Sequence, residues 1–286
     1  MDAMQLKAAL KKCSGGETID LNGADLGYTL LPNFKFGSAV TIANGSLGFS
    51  VRGCQGIIFD TVDLAESLAG YGSNAIAIRR SHVLSGAAMA LQFHNIADGF
   101  VEDCEFSYCQ LALALRGTSR FRVTGNKFHD IKKDGIRIQE GADTVMIDGN
   151  DFWDFYPGEV GGEATHPDAI QGATDAKKPS RNIMISNNRI WRGKGQAVQG
   201  IFCRTYAGRI NYEALSIRRN FVQGTLYNGI AFTGEGDVTD NTLLAAPDQK
   251  TWMRSSNLAA FRGNLAPLYH DGSKLVAPPE GNGVIA

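Results

Sequence analysis

VTGNKF (123–128), IDGNDF (147–152), ISNNRI (185–190), IRRNFV (217–222), VTDNTL (238–243) and FRGNLA (261–266) are versions of one block, apolar-x-x-N-x-apolar. VEDCEF (101–106), IRRSHV (78–83) and FDTVDL (59–64) share its shape more loosely. The key position falls at Val62, Ser81, Cys104, Asn126, Asn150, Asn188, Asn220, Asn241 and Asn264, with steps of 19, 23, 22, 24, 38, 32, 21 and 23. Most steps are one period of about 22 residues, and the two long ones are a period plus an insertion. Between the blocks runs a second short segment: ALQF (90–93), ALAL (112–115), GIRI (135–138), AIQG (169–172), GIFC (200–203) and GIAF (229–232). Each period therefore holds two or three short alternating strands joined by turns. Apolar residues at i, i+3, i+4 and i+7, which a helical repeat requires, are missing. Such strands cannot bury a face alone, but stacked coils bury one continuously. The recurrent Asn has two expected roles: tolerating a left-handed turn, and bonding through its amide to the coils above and below.

Composition agrees. Gly is abundant (34) and Pro scarce (8), as many tight turns require. Hydrophobic residues make up 43% and charged residues 20%, the balance of an ordinary globular chain. A net charge of −1 offers no basic field to gather nucleic acid or an anionic membrane surface, so neither is an expected partner. No apolar run is long enough to span a bilayer. The opening MDAMQLKAALKKC (1–13) lacks a secretory h-region. The expected location is thus a virion or the cytoplasm, or outside the cell by a route this chain does not encode. The five cysteines include no CxxC pair and read as buried free thiols rather than metal ligands.

With coil length, N-x-apolar turns and the amphipathic opening LKAALKKCSGGETIDL (6–21), the chain resembles the right-handed parallel β-helices of the pectate-lyase-like superfamily. The resemblance covers about residues 5–265. It implies an all-β, single-stranded right-handed parallel β-helix with a short N-terminal capping helix. The expected organisation is a cap over 1–20, a β-helix over 21–265 with long loops near 151–168 and 191–214, and a C-terminal tail over 266–286. This superfold hosts lyases, hydrolases, epimerases and phage tailspikes, so activity must be argued from the site.

In segments such as GIRI the isoleucines point into the coil and the residues between them point out. Aligning six segments gives three outward columns: Met89, Leu111, Asp134, Asp168, Gln199, Asn228; then Gln92, Ala114, Arg137, Gln171, Phe202, Ala231; then His94, Arg116, Gln139, Ala173, Arg204, Thr233. Asp134 and Asp168 should lie one strand spacing apart, about 4.8 Å, with Arg137 and Gln171 beside them. Two such carboxylates share a proton, hold a cation or flank a substrate. The alternative is a solvated polar face on which Asp134 simply pairs with Arg137. The insertion DFWDFYPGEVGGEATHPD (151–168) brings His166 two residues before Asp168, across a stiffening Pro167. It also carries Trp153 and Tyr156, and the second insertion adds Arg204 and Tyr206.

The expected catalytic group is His166, Asp168, Asp134 and Arg137. Gln171, Gln199, Arg204, Gln139, Arg116, Trp153, Tyr156 and Tyr206 are the expected substrate contacts, since planar amides, arginines and aromatic rings suit sugars and uronates. The other histidines, His82, His94, His129 and His270, have no such company in the sequence.

The function expected is binding and cleavage of an extended, acidic polysaccharide, with lyase-type proton abstraction favoured. A hydrolase with paired carboxylates is one alternative. A non-catalytic tail or adhesin module is the other. No cofactor is required, although the resemblance implies that Asp134 and Asp168 could hold Ca²⁺ as lyases of this superfamily do. A virion-associated form would be a homotrimer.

Overall fold

The computed structural model describes residues 1–65, 68–84, 86, 88–160, 163–164, 167–173, 177–205 and 210–285. It is a stack of parallel strands in three sheets, which the chain visits in turn. The first sheet rises from Thr18–Asp20 through Ser119–Thr124, Asp143–Asp148 and Arg181–Ser186 to Phe261–Arg262. The second includes Lys127–Ile131, Asp151–Phe155 and Arg189–Trp191. The third includes Leu111–Arg116, Ile136–Gln139, Asp168–Ala173, Gln199–Cys203, Asn228–Phe232 and Trp252–Ser255. Among the described residues the first sheet is eleven strands deep, so the nine sequence blocks understate the stack.

Alternation dictates the interior. Leu113, Ile136, Ile170, Ile201, Ile230 and Met253 follow one another in register, and each is wholly buried. Each such side chain contributes about 1.5–3 kcal/mol of burial. In the second sheet Phe106, Phe128 and Phe152 stack inside the coil, with ring centroids 4.6 and 4.8 Å apart.

The repeated Asn builds a ladder. Asn126, Asn150, Asn188, Asn220, Asn241 and Asn264 are buried, and each Oδ1 accepts the backbone N–H of the residue one coil earlier at 2.9–3.0 Å. Each Nδ2 donates back to an earlier carbonyl, as Asn188 does to Ile147 at 3.0 Å. Asn282 extends the ladder through Asn264. At the other end Ser81 Oγ takes the same place, accepting the Val62 N–H at 3.2 Å.

The amide role is thus borne out, but the left-handed role expected of the same Asn is not. The left-handed residue is the one before it: Gly125, Gly149, Asn187, Arg219, Asp240 and Gly263 all have φ between 52° and 67°. The turn therefore divides the work between a residue that bends the backbone and an Asn that satisfies it.

Both expected boundaries move. The helix Ala3–Leu10, with an Asp2–Gln5 capping box, buries Leu6 and Leu10 against the end of the stack. However, Thr18–Asp20 already pairs with residues 41–43, so the first coil starts inside the expected cap. The expected tail is structured too. Leu268–Asp271 adds a strand to Trp252–Ser255 and turns back through Lys274–Val276, and Gly283–Val284 pairs with Leu265–Ala266. Among the described residues no helix is long and apolar enough to cross a membrane.

Candidate functional site

The outer face of the third sheet carries the three columns in the expected register. Leu111 pairs with Met89 and Asp168 with Gln199; Arg137 pairs with Gln171, and Gln171 with Phe202; Arg116 pairs with His94 and with Gln139. Side-chain bonds tie the first column together. The Asp168 N–H donates to Asp134 Oδ1 at 3.0 Å, and Arg137 donates to Asp134 Oδ2. Gln171 Nε2 donates to Asp168 Oδ2 at 2.7 Å. Further along, Asn228 donates to Gln199, and the Trp252 indole donates to Asn228 Oδ1 at 3.0 Å.

Asp134 and Asp168 are 0% and 1% exposed, so the alternative of a solvated polar face does not describe this pair. Arg137, Gln171 and Gln199 around them are partly exposed. Burial pushes the Asp168 carboxyl well above the usual carboxylate range, and the neighbouring Asp134 charge pushes the same way. The Gln171 hydrogen bond and the Arg137 charge oppose this only in part. Burial also raises Asp134, but Arg137 and the Asp168 amide restrain it. Both shifts favour the protonated form, and the push is stronger at Asp168, where burial and the Asp134 charge act together. Asp168 Oδ1 is buried with no hydrogen-bond partner, as is Arg137 Nε.

These donors do not fit a calcium site. Both Asp134 oxygens already accept hydrogen bonds, Asp168 Oδ2 accepts another from Gln171, and the Arg137 guanidinium beside them repels a cation. Among the described residues no three His, Cys, Asp or Glu side chains converge to hold a metal.

Several expected contacts lie elsewhere. Trp153 is in the strand Asp151–Phe155 of the second sheet, not in a loop, and stacks between His129 (4.7 Å) and Trp191 (5.0 Å). Alternation past Asn150 simply continues one strand further than the loop reading allowed. Tyr156 follows that strand near Asp154, Asp130 and Tyr108, with its ring 41% exposed. Arg116 is on the expected face, but its charge is taken by an ion pair with Glu140. Gln139 lies beside it in register. His166 and Tyr206 lie outside the described residues.

The remaining histidines do have company. His129 bonds Asp130 (2.7 Å) and Glu105 (3.1 Å), His82 bonds Ser107 (2.9 Å), and His270 packs on Trp252 at 4.3 Å. Cross-coil neighbours are about 22 residues away in sequence, so a local reading could not find them. The same blindness hid Tyr227, Trp252 and Arg254 on the site's own face. WMRS (252–255) begins 23 residues after GIAF (229–232), one period on, and that spacing was the available signal.

A groove of about 740 Å³ lies away from this face, at the turn between the first and second sheets. Its lining includes Asp63, Arg80, His82, Asp103, Glu105 and Lys127.

Comparison with known proteins agrees with this architecture. No curated protein matches the chain by sequence. Among solved structures it is similar to the A-module of the mannuronan C-5 epimerase of Azotobacter vinelandii (TM-score 0.61, 12% identity, covering 95% of this chain and 75% of that one). It is also similar to PfbA, a surface adhesin of Streptococcus pneumoniae (TM-score 0.63, 12% identity, 98% and 92% covered). A third similar structure is the pectate lyase Pel9A (TM-score 0.55, 15% identity, 96% and 73% covered). At these identities the likeness is one of fold. The model for the right-handed β-helix region matches residues 37–166 and 67–265, and with the three-sheet stack this places the chain in the right-handed parallel β-helix family, the pectate-lyase-like fold its repeats resemble.

Proposed function

We propose that this protein binds an extended acidic polysaccharide along the outer face of the third sheet and cleaves it, with Asp168 supplying the proton to the departing glycosidic oxygen. The observation that carries this reading is the Asp168 carboxyl itself. It is buried, burial and the neighbouring Asp134 charge favour its protonated form, and its Oδ1 has no partner. Leaving a buried polar atom unsatisfied costs about 1–3 kcal/mol, a cost that folded proteins retain mainly where a site uses it. A carboxylic acid held protonated near neutrality is a general acid, and general acids contribute about 10²–10⁴ in rate.

Asp134, fixed by Arg137 and by the Asp168 amide, supplies the negative charge that keeps the proton on Asp168. Gln171 is partly exposed, and its amide is the described side-chain partner of Asp168. A sugar reaches the acid by taking over that hydrogen bond. His166, two residues upstream across the buried Pro167, is the base this reading assigns to proton abstraction in an elimination. The proposed substrates agree with what two of the similar structures are, a mannuronan epimerase and a pectate lyase.

The test is incubation of the purified protein with alginate, pectate and capsular polysaccharides, following both reducing ends and unsaturated-uronate absorbance. New reducing ends with that absorbance mean elimination; without it they mean hydrolysis, with the carboxyl pair dividing the acid and base roles. Binding with neither signal sinks the cleavage reading in favour of an adhesin.

A further inference from the structure

Three arginines occupy this face at intervals of two coils: Arg137 on Ile136–Gln139, Arg204 directly after Gln199–Cys203, and Arg254 on Trp252–Ser255. In each, Nε is buried and has no hydrogen-bond partner. Arg137 uses its terminal nitrogen on Asp134, whereas Arg204 and Arg254 take part in no ion pair of the described residues. They are close enough for the Arg204 charge to act on Arg254, which burial already holds below the usual guanidinium range. Arg254 stands in the column of Phe202 and Ala231, and Arg204 in the next column, two residues beyond Phe202; Ala231 points outward yet is wholly buried. Two like charges this close, with no counter-charge among the described residues, are costly for the folded chain unless an anion joins them. Beside them stands a ring stack of Tyr227, Trp252 and His270, with centroids 5.1 and 4.3 Å apart. Tyr227 is 56% exposed, and Trp252 is held by its bond to Asn228.

We infer that Arg204 and Arg254 form an anion-binding subsite, and that with Arg137 they select glycans whose negative groups recur at about twice the strand spacing, roughly 10 Å. The inference rests on the polysaccharide reading above and adds its specificity. Arg254 lies three coils beyond Asp168, about 14 Å along the stack, so the subsite holds the chain at a distance from the acid while Tyr227 offers a sugar ring a backed aromatic surface. A guanidinium binds a carboxylate or sulfate through charge-assisted hydrogen bonds from its terminal nitrogens.

The experiment measures binding, in the Asp168→Asn background so that turnover does not intervene. The probes are galacturonate and mannuronate hexamers and the methyl-esterified galacturonate hexamer. The expected result is tighter binding of a charged hexamer than of the ester, weakening as salt rises. Arg204→Gln and Arg254→Gln should each lose about tenfold or more on the charged probe and little on the ester. Equal binding of charged and esterified hexamers, or arginine variants that bind as the parent does, overturns the inference. Thermal melts give a second reading without any sugar. Arg254→Met, which keeps the aliphatic stem, should melt no lower than the parent, because no ion pair of the described residues is lost and a repulsion is relieved. A clear drop would assign Arg254 a structural role and overturn it too. The cleavage reading fails separately, through an absence of turnover in the protein with Asp168 intact.

Discussion

Asp168 and Asp134 share a coil-to-coil contact but not a role, and substitution should separate them. Asp168→Asn keeps the shape and the Gln171 neighbour while removing the acidic proton. Turnover should fall by about 10²–10⁴, with melting at neutral pH at or above that of the parent. Asp134→Asn instead leaves the Arg137 guanidinium without its counter-charge at a partly buried position, and should cost about 1–3 kcal/mol in a denaturation curve. The pH dependence has a definite sign. Both carboxyls are raised in the folded state, so both favour folding below the unfolded value of about 3.9, and that contribution is lost as pH rises through their folded values. Melting temperatures from about pH 4 upward should therefore decline more for the parent than for Asp168→Asn. Parallel curves would show that the proton is not held as described. The columns made the juxtaposition of these residues legible in the sequence. Their burial was not legible, because what covers a strand's outer face comes from coils and loops far away in sequence.

Among the elements, the Asn ladder and the third sheet make distinct demands. Asn188 Oδ1 accepts from both nitrogens of Asn150, while its Nδ2 serves Ile147 and Asn220, all out of contact with water. Asn188→Ala should cost about 2–4 kcal/mol in urea unfolding, and a loss under about 0.5 kcal/mol would contradict the ladder's energetic role. Asn282→Ala, at the partly exposed end, should cost less. Gly172 is different. A Cβ there would meet the buried Tyr212 hydroxyl at 2.1 Å and Cys203 Sγ at 2.9 Å, so Gly172→Ala should overpack the coil by about 1–3 kcal/mol. Normal melting of that variant would show that Tyr212 can move aside. Period-2 alternation made these strands readable, and the recurrence of Asn at one phase made the ladder readable. Two details escaped. The left-handed position is filled by Gly, Asn, Asp or Arg, so no single letter marks it. Trp153 sits in a strand that runs on where the spacing suggested a loop.

At the scale of the molecule, the stack assembles the proposed site by geometry: one face of one sheet lines up buried carboxyls, amides, arginines and an aromatic stack over successive coils. The period and its strands revealed the solenoid, whereas the ends and the aromatic half of the site stayed hidden because their partners belong to neighbouring coils. The groove lined by Asp63, Arg80, His82 and Glu105 lies away from this face and offers a polymer an alternative seat. The two placements can be told apart directly. A crystal structure of Asp168→Asn bound to a galacturonate or mannuronate hexamer should show the chain along the third sheet. A glycosidic oxygen should then lie within hydrogen-bond distance of the residue 168 side chain, and an anionic group should rest on Arg204 and Arg254. An oligosaccharide seated in the other groove, or crossing the third sheet without approaching residue 168, would contradict the account.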